Sequence, residues 1–130
     1  MESFGTENIV MVNTMNDNYK DKFIELSAKF GLAIESGNAG VANRYVKKII
    51  ELKKKWKDKD DAYVEEIISL LEHPDKHVQL KAADALIQYR PEIARPKIEE
   101  LAKEKSPLAN LGSEASLILI LWDRGELKFG

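Results

Sequence analysis

The segment HPDKHVQLKAADALIQYR, residues 73–90, is written a second time as SPLANLGSEASLILILWD, residues 106–123, at a shift of 33. Pro74 falls on Pro107, Val78 on Leu111, Ala82 on Ala115, Leu86 on Leu119, Ile87 on Ile120 and Tyr89 on Trp122. Upstream, at a shift of 34, Val64, Ile67 and Ile68 meet Ile98, Leu101 and Ala102. A period of this size, with a proline-bearing turn between two apolar-periodic segments, means stacked helical hairpins, each burying its apolar face against the next. The repeat also decides the state of LILILW, residues 117–122, the most apolar stretch of the chain. Alone, such a run reads equally well as a buried strand or a buried helix. Its counterpart DALIQY lies inside a helical pattern, so a helix is predicted, with Gly125 as its stop.

The first half carries two further amphipathic helices. Tyr19, Phe23, Leu26, Phe30 and Ala33 recur at spacings of four and three, with Asn18 as the expected cap and Gly37 as the end. After the loop SGNAG, with Asn38 as cap, Tyr45, Ile49, Leu52 and Trp56 repeat the pattern down to KKKWKDKDD. A short loop between two such helices predicts an antiparallel pair. Residues 1–16 read as an N-terminal tail or arm, and residues 17–130 as a single domain.

Composition excludes several classes. With no cysteine there is no disulfide framework and no thiolate metal site. The longest apolar run is far below the ~20 residues of a membrane helix, and MESFGTENIVMV lacks the basic region of a signal peptide. A cytoplasmic protein without membrane contact is the expectation. Net charge is −2, too small to drive strong phosphate binding.

Residues 64–122 resemble two HEAT-like repeats. LLEHPDKHVQLKAADAL has the Leu-Leu, Pro-Asp, Val and Ala-Ala arrangement of that class, and Pro96 is similar to the proline of its kinked first helix. The basic residue, Lys81, stands two positions from the usual place, and LGSEAS in the second copy has none. Over residues 19–128 the chain is similar to a small bacterial HEAT-like family of unknown function. The matching pieces are GNAGVANRYVKKIIEL, LLEHPDKHVQLKAADAL, RPEIARPKIEELA and LWDRGEL. The resemblance implies an all-α fold, a short right-handed α-solenoid of antiparallel helical hairpins, and no catalytic residues. It also implies protein binding through a concave face; some small all-helical proteins of this kind resemble immunity proteins that neutralise a toxin.

The residues themselves offer little catalytic chemistry. His73 and His77 stand four apart, but the residue before Pro74 is pushed out of the helical region, so the pair straddles a turn and no metal site is expected. There is no nucleophile elbow and no glycine-rich phosphate loop, so neither an enzyme nor a cofactor is expected. KKKWKDKDD, residues 53–61, invites nucleic acid with Trp56 for stacking, and a nucleic-acid-binding helical scaffold using Lys47, Lys48, Lys54 and Lys55 is the alternative reading. Against this, Trp56 continues the apolar stripe, and Glu51, Asp58, Asp60 and Asp61 offset the lysines, so nucleic acid is disfavoured.

The two copies differ on one face. His77, Lys81, Asp84 and Gln88 form a polar stripe in the first; Asn110, Glu114, Leu117 and Leu121 replace them in the second. That face is expected to bind another protein, with His77, Lys81, Asp84, Gln88 and Glu114 as its polar part and Leu117 and Leu121 as its apolar part. Ile9–Val12, or the tail at Leu127 and Phe129, would otherwise cover the two leucines. The expected partner is a basic toxin or effector domain, with this chain as its cytosolic inhibitor; a homodimer through Leu117 and Leu121 is the further alternative.

Overall fold

The computed structural model describes the backbone of residues 3–127 and the side chains of residues 19–127. Among the described residues the fold is all-α, six helices and no strand: α1 Ser3–Glu35, α2 Ala39–Lys59, α3 Tyr63–Ser69, α4 Lys76–Leu86, α5 Pro91–Leu101 and α6 Ala109–Asp123. A single 3₁₀ turn, Leu70–Glu72, leads from α3 towards α4. LILILW is therefore helical, as the repeat predicts. The helix expected from Asn18 begins at Ser3 instead, so Asn18 lies inside α1 and does not cap it.

Local chemistry sets the boundaries. Gly37 adopts φ +79°, a left-handed conformation that closes α1, and the Asn38 side chain accepts the Val41 N–H at 3.3 Å to open α2. Gly125, at φ +69°, closes α6. His73 is extended before Pro74, and the Asp75 carboxylate accepts the His77 and Val78 N–H groups at 2.8 and 3.3 Å, capping α4.

The apolar stripes meet in one core. Phe23, Phe30 and Ala33 of α1 are buried with Ile49, Leu52 and Trp56 of α2. Phe23 lies 5.7 Å from Trp56, Trp56 5.0 Å edge-on to Tyr63, and Tyr63 6.4 Å edge-on to Tyr89, so one aromatic chain stitches α1, α2, α3 and the turn after α4. Trp56 is fully buried, and its indole N–H is shared between Asp60 and Glu66 at 3.1 and 3.2 Å. The ring is core, with no face left for a base.

The two copies of the repeat lie side by side. Lys81 of α4 and Glu114 of α6, 33 residues apart, form an ion pair at 2.8 Å. A second link comes from α1: the Glu35 carboxylate holds His77 of α4 and the first turn of α6. One matched pair thus touches directly and a second, His77 and Asn110, shares Glu35, so α4 and α6 run parallel. Between them α5 runs antiparallel to α6, with Arg95 bound to Asp123 through both guanidinium arms at 2.6 and 3.2 Å. Gly112 completes this pairing; a Cβ there would strike the Glu104 carbonyl.

Candidate functional site: a cleft between α2 and α4

The polar stripe of α4 does not face open water along its length. His77 is buried, 5% exposed. Its ring lies against Gly31 of α1, where a Cβ would come within 2.5 Å of it, and its Nε2 meets Glu35 Oε2 at 2.9 Å. Lys81 is half-buried, with its ammonium 3.8 Å from the centre of the Phe30 ring and paired with Glu114. These two residues and Glu114 fasten α1, α4 and α6 together. The expectation of a wet stripe is corrected here for His77: Gly31 lets α1 approach closely enough to cover it.

Asp84 and Gln88, further along, open onto a cleft of about 250 Å³ between α4 and α2. Both helices pack on α1 and make little direct contact with one another, which leaves the gap. On the α2 side a stripe of Val46, Ile50, Lys53 and Lys57 faces it. Each of these follows a residue of the core stripe, Tyr45, Ile49, Leu52 or Trp56, by one position. One helix therefore presents a buried face and, beside it, a cleft face at the same four-three-four spacing. Ile49, Tyr63 and Ala85 form the buried floor; Tyr89 and Leu127 sit at the rim.

The cleft is electrostatically unbalanced. Lys53, Lys54, Lys57 and Lys81 line it against the single carboxylate of Asp84. With Lys81 neutralised by Glu114, an excess of two positive charges remains. Asp84 is half-buried and makes no hydrogen bond or ion pair among the described residues. Burial raises its pKa, against the opposing pull of Lys53 and Lys81. Lys53 is the mirror case: burial lowers its pKa, with Asp84 working the other way. Burial likewise holds the Tyr63 phenol well above its ordinary range, so the floor offers a hydroxyl and no charge.

The other residues expected to take part lie elsewhere. Leu117 is 53% exposed and Ile120 49%, on the outer side of α6 above a shallow depression lined by Gly112, Ser113 and Ser116. Leu121 is half-buried. Leu127 packs at the α2–α4 cleft, away from Leu117, while the side chains of Ile9–Val12 and of Phe129 lie outside the described residues. Lys47, Lys48 and Lys55 sit on the outward side of α2, interleaved with Glu51 and Asp58; Lys54 alone of the expected nucleic-acid set reaches the cleft. His73 and His77 take separate partners, His73 Nδ1 accepting the Asp75 N–H, and no three His, Asp or Glu side chains among the described residues converge as a metal would require.

The family model described as "Domain of unknown function (DUF2019)" matches residues 17–121. The chain belongs to that family. The DUF2019 chain is also similar in fold to a solved structure, the protein RPA1889 from Rhodopseudomonas palustris CGA009. The TM-score is 0.75 at 23% identity, covering 88% of this chain and 93% of that one. Among curated proteins none matches it. The helices that build the cleft, from the later turns of α1 through α4, fall inside the matched span, and Leu127 at the rim lies beyond it.

Proposed function

We propose that this DUF2019 chain is a non-catalytic protein-binding module that receives a segment of its partner in the cleft between α2 and α4. The observation that carries this reading is Asp84. Its half-buried carboxylate takes no partner from the chain among the described residues and opens on the cleft, where a group of an incoming segment can reach it. Apolar walls with a few unpaired polar groups are the makeup of a binding cleft. A HEAT-like build, a short right-handed stack of antiparallel hairpins, is supported by the parallel course of α4 and α6 and by the contact between repeat-related Lys81 and Glu114. A cytoplasmic inhibitor of a toxin or effector domain is one role such a module could fill, and no helix among the described residues is long and apolar enough to cross a membrane.

Affinity capture from the native host tests the reading with two variants at exposed apolar positions. Ile50→Glu places a charge in the cleft, and Leu117→Glu places one on α6. A partner protein held by the parent and by Leu117→Glu, and lost by Ile50→Glu, is the expected result. Loss by Leu117→Glu alone moves the interface to α6. The exposed Leu117 and Ile120 favour that second reading, a homodimer through α6, which light scattering on the purified chain would reveal directly. A gel shift at two salt concentrations checks nucleic acid, because phosphate-driven binding falls steeply with salt.

A further inference from the structure

We infer that the partner segment taken by the cleft is acidic: a carboxylate-bearing side chain flanked by an apolar one, docking between the lysines of α2 and the end of α4. This rests on the protein-binding reading above and specifies the chemistry of the partner. It reverses the basic partner expected from the sequence, because the cleft lining carries an excess of lysines whereas the chain as a whole has a net charge of −2.

Three features of the cleft converge on this ligand. Lys53 and Lys57 are one helical turn apart on the same stripe, and no carboxylate lies within ion-pair distance of either among the described residues. Their cationic ends are thus available to an incoming acid, whereas Lys81 is already committed to Glu114. Beside them, Val46 and Ile50 make an apolar wall that continues to Leu127, and Ile50 is 42% exposed, so an aliphatic side chain next to the acid has a surface to cover. Finally, the volume of about 250 Å³ suits one or two side chains of a peptide, with Gln88 and the Tyr89 rim able to meet its backbone. A nucleic-acid backbone needs a continuous track of cations. The outward lysines of α2 do not supply one, since Glu51 and Asp58 interrupt them.

Asp84 gives the arrangement its selectivity. A carboxylate standing in the cleft offsets part of the lysine field, that of Lys53 above all, so a weakly matched anion gains little, while an acid that also engages Lys57 gains more. Its removal should strengthen anion binding generally. Like charge inside a site is a known means of rejecting wrong partners.

The test is amide-resolved NMR titration of the full chain with a blocked peptide carrying a Glu-Leu-Glu centre between glycine and serine. A Gln-Leu-Gln counterpart, inorganic phosphate and an oligothymidylate are titrated in parallel. The Glu-Leu-Glu peptide should shift the amides of Ile50, Lys53, Gln88 and Tyr89 saturably, and the glutamine peptide should bind about tenfold more weakly. Lys53→Met with Lys57→Met should cost about tenfold, Lys103→Met on the α5–α6 loop should change nothing, and Asp84→Asn should tighten binding about two- to fivefold. Equal binding of the two peptides in the cleft, or no shift of the cleft amides by either, overturns the inference. Stronger shifts of the same amides by phosphate or oligothymidylate overturn it too. The two readings fail separately. If a captured partner is lost by Ile50→Glu and retained by the Lys53→Met, Lys57→Met double variant, the cleft remains the binding site and only the acidic character of the partner falls.

Discussion

Replacing Glu35 by alanine removes a carboxylate at the end of α1 that serves two other helices. Its Oε2 accepts the Leu111 N–H at 3.0 Å, and its Oε1 accepts the Asn110 N–H at 3.3 Å. These are first-turn donors of α6, whose own N-cap, Leu108, has no side chain able to accept them. Glu35 is therefore a cap supplied from a distant helix, and Asn110 returns the favour by donating through Nδ2 to the Ile34 carbonyl at 2.9 Å. The same carboxylate is the partner of buried His77 Nε2. Losing the cap costs about 1 kcal/mol. Leaving a buried imidazole nitrogen unpaired costs about 1–3 kcal/mol more. The expected loss is then about 2–4 kcal/mol in urea unfolding followed by circular dichroism, or roughly 8–16 °C in Tm at about 4 °C per kcal/mol for a chain of this size. Glu35→Gln keeps one accepting oxygen and should lose less than half as much. Amide exchange should quicken first at Asn110 and Leu111. An alanine variant within about 0.5 kcal/mol of the parent, or a glutamine variant equally damaged, would refute the assignment of Glu35 as the shared cap.

Gly31→Ala places a methyl 2.5 Å from the His77 ring carbons and 2.8 Å from its Cβ, which no rotamer change can move aside; α1 and α4 must separate, at about 1–3 kcal/mol in denaturant unfolding. Asp84→Asn should stabilise the chain at neutral pH: a carboxyl whose folded pKa is raised by burial contributes fully below its unfolded pKa of about 3.9 and becomes a cost as pH rises through the folded value. The gain should close below about pH 4, and a variant less stable than the parent at pH 7 would contradict it. On α6, Ile118→Ala should cost about 2–4 kcal/mol while Leu117→Ala, one position earlier and 53% exposed, stays within about 0.5 kcal/mol, as thermal melts of the two variants would report.

The repeat made the helical state of α6 legible because a run of alternating Leu and Ile is ambiguous only until a second copy supplies its context. Asn38, Gly37 and Gly125 were legible as boundaries because their chemistry is local to the chain. The burial of His77 was not, since it depends on the missing side chain of Gly31, on a helix separated from it by two others. A polar stripe at four-three-four spacing looks the same whether it faces water or a neighbouring helix. Here it does both, with His77 and Lys81 locked against α1 and α6, and Asp84 and Gln88 open to the cleft. The stripe of Val46, Ile50, Lys53 and Lys57 was present in the sequence, one residue behind each core position. Its mixture of aliphatic and lysine side chains matched neither an apolar nor a polar template. The cap from Glu35 had no sequence signal, because nothing near Leu108 points to a partner seventy-odd residues away.

Site-specific photocrosslinking in the native host tests the placement of function most directly. A photoreactive phenylalanine analogue at Gln88, on the rim of the cleft, is compared with the same analogue at Ile120 on the outer side of α6. The account predicts a discrete crosslinked partner protein from position 88 and none from position 120. A partner caught only from position 120, or crosslinks to a second copy of the chain there, would contradict it.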